Sequence, residues 1–364
     1  MPLHPERPSR ACPESTKPLF RKSKSIVGLD IGSQTLKAVE ITLEGAEAVV
    51  TAFSRVEIDG NTDRSKALNE LVSNARFHTK QAASAVSGSS VIVRYISMVP
   101  MSDSELRQAI QFESDKYLPF DLDEMVLDCQ RLDHAPADSQ GGDKQMSVVL
   151  VACQKGMVSK VVDEIQGMGF QPAALDVDVF ALGNAYELTH GIALDPSTTG
   201  DGASALIDVG ASRTQINVIR AGETCFSREI GLGGNDMTKA IARRLSLDLA
   251  EAEVLKRDPG EREIEVTRAI TPILEDLCTE INMSLDFVEG REAVRVEELL
   301  LSGGGALAMG AIEFFEQQTG RPARTWNPLQ GLTVDPERVD VDELEALAPT
   351  LAIAVGLAAR VKAA

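Results

Sequence analysis

An acid-x-glycine turn between two apolar runs constrains this chain more than any other feature, because it occurs twice. In SIVGLDIGSQTLKAVEI, from Ser25 to Ile41, the run Ile26-Val27-Gly28-Leu29 ends in Asp30. Gly32 follows two residues later, then the hydroxyls of Ser33 and Thr35, then Lys37 and a second apolar run. In SALIDVGASRTQINVIRAGETCFSREI, from Ser204 to Ile230, Ala205-Leu206-Ile207 ends in Asp208. Gly210, Ser212 and Thr214 come next, then Ile216 and Val218, then a turn at Ala221-Gly222. The first copy turns at Glu44-Gly45. Each copy predicts strand, tight hairpin, strand, turn, strand. One such turn is an ordinary Asp-Gly hairpin signal. Two in the same context, 178 residues apart, predict a duplicated α/β fold.

The residue types suit phosphate chemistry. Glycine lets backbone approach closely, so successive N–H groups can wrap an anion. The hydroxyls and Lys37 add donors. Asp30 and Asp208 would repel each other across one cleft, and a divalent cation would relieve that repulsion. Magnesium uses few carboxylates, keeps several waters and bridges phosphate oxygens.

Two further segments belong with these. LLLSGGGALAMGAIEFFEQQTG, from Leu299, predicts a strand, a Gly303-Gly304-Gly305 turn, and a helix with an apolar face ending near Gly320. Strand, triple glycine, helix is a geometry that brings backbone to a nucleotide; alone it serves equally as a tight connection. GLGGNDMTKAIARRLSLDLAEAEVLKRD places Gly233-Gly234 before a helix, with Asn235 or Asp236 as its N-cap. Glu253 and Lys256, three apart, share a face of the next helix. On spacing alone they are a surface ion pair.

Length and composition bound the rest. A chain of 364 residues, 43% hydrophobic, predicts two domains or two plus an insertion. A net charge of −19 excludes a general nucleic-acid binder. The five cysteines (12, 129, 153, 225, 278) form no CxxC pair, which fits a reducing cytosol better than a disulfide framework or zinc site. Residues 1–24 are basic and proline-bearing without an apolar signal region, and are expected to be a disordered tail. ALAPTLAIAVGLAA is shorter than a membrane span and contains a proline, so no transmembrane helix is expected.

Residues 93–170 lie outside the repeated pattern. Ser102 with Glu105 is a capping box ahead of a helix through about Tyr117, stopped by Pro119. MVLDCQRL and MSVVLVAC are strand candidates around the polar tip APADSQGGDK. KGMVSKVVDEIQGMG carries Met157, Val158, Val161, Val162 and Ile165 on one face. The expectation is a small inserted α+β subdomain.

The order of these pieces resembles the actin-like ATPase superfamily, in which two D-x-G hairpins clasp phosphates and an A-E-x-x-K helix and S/T-G-G loop hold the nucleoside. The resemblance covers about Ser25 to Arg360. It implies two duplicated RNase H-like halves: 25–92 and 171–200 in the first domain, 201–345 in the second, and 346–364 as a helix returning to the first. It places Asp30 and Asp208 near magnesium. It lines the phosphates of ATP with Gly32, Ser33, Gln34, Thr35, Lys37, Gly210 and Thr214. It gives the nucleoside side Gly233, Gly234, Glu253, Lys256, Gly303 and Gly304. Asp178, with Asp176 as rival, is the candidate for positioning water if ATP is hydrolysed; either could instead cap the turn before VFALGNA.

Within the superfamily, VGLDIGSQTLKAVEI, MVPMSDSELRQAIQFESDKYLPF and VVLVACQKGMVSKVVDEIQGMGFQPAALDVDVFALGNA are similar to the PilM family of type IV pilus assembly proteins. That resemblance implies a cytoplasmic ATP-binding scaffold, peripheral to the inner membrane, whose inserted subdomain docks the N-terminal tail of a PilN-like membrane protein. It adds contacts with other pilus assembly proteins and leaves self-association into a homo-oligomer open. An FtsA-like cell-division actin and a small-metabolite kinase are the alternatives within the same superfamily.

Overall fold

The computed structural model describes residues 24–60, 62–113, 116–118, 122–132, 145–193, 202–292 and 294–362. The expected basic tail up to residue 23, the Pro119 stop and the APADSQGGDK tip lie outside these residues.

Both acid-glycine turns form hairpins. β1 (Lys24–Ile31) pairs antiparallel with β2 (Thr35–Glu44), which pairs with β3 (Glu47–Glu57). In the second copy β9 (Ala203–Val209), β10 (Thr214–Arg220) and β11 (Glu223–Ile230) repeat that arrangement. The registers match: Asp30 faces Lys37 across its hairpin, and Asp208 faces Gln215 across the other.

Each hairpin strand then continues into parallel pairing. β1 joins β4 (Gln81–Val86), and β4 joins β8 (Gln171–Val177). β9 joins β12 (Val296–Ser302), and β12 joins β13 (Ala323–Thr325). A short strand, β14 (Thr333–Val334), extends the first sheet beyond β3. Apart from that strand the two sheets have the same order and directions. The duplication read in the hairpins therefore extends over both halves.

Two helices join the halves. α4 (Asp178–Ala193) packs on β10 and β11 and against α10 (Ala352–Ala358), which packs on β1, β2 and β4. Every residue of α10 is buried, so this apolar segment is a core element. No single helix among the described residues is long and apolar enough to cross a membrane.

The inserted segment forms a third sheet of β5 (Val91–Met98), β7 (Met146–Gln154) and β6 (Met125–Arg131), with β7 in the middle. α2 (Asp103–Glu113) covers one face through Leu106 and Ile110. Its capping box is reciprocal: the Ser102 amide donates to Glu105 Oε2 (2.8 Å) and the Glu105 amide to Ser102 Oγ (3.4 Å). α3 (Lys155–Gly167) behaves differently. Its buried face, Val161 and Ile165, packs with Leu29 and with Leu68 of α1 (Arg64–Ser73) in the core of the first half.

Candidate functional site: the cleft between the two hairpins

The ends of β1 and β9 point into one cleft of about 650 Å³. The hairpin tips meet across it, with Ser33 Oγ donating to Ser212 Oγ at 3.2 Å. Asp30, Gly32, Ser33, Gln34, Thr35 and Lys37 line one wall; Asp208, Gly210 and Gly234 line the other, with Gly303 and Gly304 beside them.

The two aspartates are placed alike. Lys37 Nζ donates to Asp30 Oδ2 at 2.8 Å, and Ser302 Oγ donates to Asp208 Oδ2 at 2.8 Å. Each Oδ1 lies over the glycine of its own turn, 3.8 and 3.9 Å from where a Cβ would sit on Gly32 and Gly210. Burial alone would lower the Lys37 ammonium, but the Asp30 carboxylate and its hydrogen bond, with Asp208 further off, hold it above its ordinary value. Burial pushes Asp208 up to about 6, against the pull of Lys37 and Ser302. One lysine charge thus faces two carboxylates. The pairing with Lys37 relieves part of the repulsion that sequence reasoning assigned wholly to a metal. The remaining negative charge, and carboxylates reached from two separate hairpins, fit a hydrated divalent cation better than direct multidentate ligation. Among the described residues no group of three or more His, Cys, Asp or Glu side chains is arranged to hold a bare metal ion.

Asp178 also reaches the cleft, at the start of α4. Burial, then the Asp30 charge, pushes it up to about 7, against a hydrogen bond from Ser87. Asp176 does not reach it. Its carboxylate accepts from the Val177 amide, Asn184 Nδ2 (2.9 Å) and Arg360 Nε (2.8 Å), tying β8 and α4 to the helical turn Ala359–Lys362 that follows α10. Of the two rival acids, Asp178 lines the cleft and Asp176 does not.

The far end of the cleft is built from α5 (Gly234–Leu245) and α6 (Leu249–Arg257). Lys256 is buried and donates to Gly234 O (3.1 Å), Thr238 Oγ1 (2.8 Å) and Glu253 Oε2 (2.6 Å). Its three donors are all engaged within the protein. Lys256 and Glu253 therefore shape the wall by joining α6 to the first turn of α5. The glycines opposite divide by role. A Cβ on Gly303 (φ +84°) would lie 2.4 Å from Val209 O, whereas one on Gly304 would meet nothing within 4 Å. Gly303 allows the turn, and Gly304 leaves open space.

Two sequence-selected residues are not at the cleft surface. Thr214 is fully buried, and its hydroxyl donates to Leu232 O at 2.8 Å. Strand alternation turns its neighbour Gln215 to the cleft instead. Gly233 precedes α5 in extended backbone, where a Cβ would lie 2.6 Å from Gly210 O. The structure also adds residues that sequence reasoning missed. Arg213 projects from the tip of the second hairpin, a position the motif itself marked. Ser87, Arg55, Glu57 and Arg257 line the cleft from remote segments and carry no local signal.

Two sheets of one order, joined by a shared helix pair and each contributing a hairpin to one cleft, define an actin-like fold. Within it, the model of the family described as type IV pilus assembly protein PilM matches residues 28–362, and the chain belongs to that family. The solved structure of a PilM-PilN type IV pilus biogenesis complex aligns with a TM-score of 0.79 at 30% identity, covering 92% of this chain and 98% of that one. Ethanolamine utilization protein EutJ of Carboxydothermus hydrogenoformans, at 16% identity and a TM-score of 0.52, shares the fold over 94% of this chain and 91% of its own. The EutJ protein of Escherichia coli K12 is 25% identical over 190 residues, 52% of this chain and 55% of the relative. The chain spans about half the length of the curated relatives it matches.

Proposed function

We propose that this chain is a cytoplasmic ATP-binding scaffold of the type IV pilus inner-membrane platform, closing on Mg-ATP and docking the cytoplasmic N-terminal tail of a PilN-like membrane protein. The observation that carries the nucleotide reading is the pair of matched hairpins meeting over one cleft. Their backbone amides, with Lys37 and the Ser33 and Ser212 hydroxyls, offer donors to phosphate from both halves. Asp30 and Asp208 would hold the hydration shell of magnesium, which when bound neutralises phosphate charge. Gly304 leaves room for the nucleoside between the glycine loop and α6. Asp178 would hold a water or a proton beside the terminal phosphate, in a chain whose turnover is slow or absent. The docking reading rests on likeness to the PilM-PilN complex and on a third sheet outside the repeat. Localisation at the membrane then follows from the partner.

The test has two arms. Thermal unfolding with nucleotide at 100 times its Kd should show about 2.7 kcal/mol of added stability; no shift with millimolar Mg-ATP sinks the nucleotide reading. For docking, Tyr95 and Val149 are cross-strand partners, so a short Gly/Ser linker can replace the residues between them while α3 stays in place. That variant should keep the Mg-ATP shift and lose pull-down of the PilN-like tail. Unchanged capture would move the docking site elsewhere.

A further inference from the structure

We propose that Arg213 senses the terminal phosphate of a bound nucleoside triphosphate, exchanging Glu229 for that phosphate and so loosening the root of the inserted sheet. The proposal rests on the nucleotide reading above and adds to it a discrimination between tri- and diphosphate and a route to the third sheet.

Arg213 stands at the tip of the second hairpin, lines the cleft, and has a side chain 43% exposed. Among the described residues its one ion pair is long and single: Nε lies 3.3 Å from Glu229 Oε1. A guanidinium forms stronger, forked bonds with phosphate oxygens. Glu229 would not be stranded by the exchange. Its Oε2 accepts the Gly88 amide at 3.0 Å and Gln215 Nε2 at 3.0 Å.

The released end matters because of what Arg213 covers. Gly88 has φ +83°, and a Cβ there would lie 2.6 Å from Arg213 Nη2 and 2.9 Å from its Cζ. The guanidinium therefore lies directly against the turn between β4 and β5. That turn roots the inserted sheet twice: Gly88 O accepts from the Val91 amide (2.9 Å) and Ser90 O from the Gln154 amide (3.1 Å). Two residues before Glu229 on β11, Ser227 Oγ meets Tyr95 OH at 2.8 Å. One strand of the second half thus holds β5 at its root and at its middle, and Arg213 is the clamp at the root. A diphosphate lacks the group that would draw Arg213 away.

The experiment uses the full chain and its Arg213→Gln variant, titrated calorimetrically with Mg-ATP and Mg-ADP, alongside deuterium uptake of peptides spanning Ser87 to Tyr95. In the wild-type chain ATP should raise uptake over ADP in that segment. Arg213→Gln should weaken ATP about tenfold and ADP less than about twofold, as expected for losing one charge-assisted bond, and should erase the uptake difference. Arg213→Lys, which keeps the charge without the fork, should fall between. An unchanged ATP/ADP affinity ratio in both variants, or equal wild-type uptake with the two nucleotides, overturns the proposal alone. A wild-type chain that binds neither nucleotide overturns the nucleotide reading and this one with it.

Discussion

At the residue scale the costly group is Asp178, a carboxyl at the base of a cleft that already holds Asp30 and Asp208. Burial first, and the Asp30 charge second, raise it from 3.8 to about 7. Its protonated form is favoured by folding, so the stability it contributes is fully present below about pH 4 and is lost as pH rises through about 7. The nucleotide-free protein should therefore lose thermal stability between about pH 4 and about pH 7, with little further change above that. Asp178→Asn keeps an acceptor for Ser87 and removes the ionisation. The variant should be the more stable protein at pH 8, by about 1–3 kcal/mol, and the two melting curves should converge toward about pH 4. Parallel pH profiles would show that Asp178 is not the group responsible. Lys37 illustrates the same balance of charge: it was selected as a phosphate donor, and its ammonium pairs with Asp30, the acid opposite it in the hairpin register.

At the scale of elements, the junction of the two halves is made by close approach. A Cβ on Gly28 would lie 2.0 Å from Ala354 O and 2.6 Å from the Ala358 nitrogen, and one on Gly356 would lie 1.7 Å from Ala181 O. β1, α10 and α4 can stack only because these two positions lack a side chain. Neither glycine has a positive φ, so the cost of substitution is overpacking and not backbone strain. Gly28→Ala and Gly356→Ala should each destabilise by about 3 kcal/mol or more in chemical denaturation, while Gly304→Ala, which meets open space, should leave the midpoint unchanged. Equal midpoints for all three would contradict the packing described. Legibility follows the same division. The hairpins, the glycine loop and the capping box were readable because each is local, made by residues within a few positions of one another. The true role of Gly28 was not, since nothing near it in sequence indicates that a helix more than three hundred residues later lies on its Cα. Thr214 failed for a simpler reason: the motif supplies a hydroxyl, but alternation along β10 decides which face it takes. The membership of α3 in the first half's core was hidden likewise, since its apolar stripe does not say which sheet it meets.

At the scale of the whole molecule, the two halves touch across the cleft at the hairpin tips, through Ser33 and Ser212, and again through Arg257 and Glu57. Arg257 Nη1 donates to Glu57 Oε1 at 2.8 Å, and Nε to Glu253 Oε1 at 3.0 Å. Glu57 accepts also from Arg55 Nη2 at 2.5 Å. Burial works against the Glu57 charge, and the two guanidiniums more than offset it, holding its carboxyl below the usual value. The side chains of Arg257 and Glu57 are 50% and 48% exposed, so the pair is screened and should add no more than about 1 kcal/mol to global stability. Its position gives it a larger effect on opening, because it joins β3 of one half to α6 of the other across the cleft. Glu57→Gln removes the attraction and preserves the shape. The expected outcome is a release rate for a fluorescent ATP analogue raised severalfold, by stopped flow, with a melting temperature lowered by less than about 2 °C. Added salt should speed release from the wild-type chain, since exposed ion pairs weaken as the Debye length shortens, and should speed it less in the variant. If Glu57→Gln releases nucleotide at the wild-type rate, the Arg257–Glu57 pair does not hold the cleft closed, and the helix pair and hairpins alone set the opening.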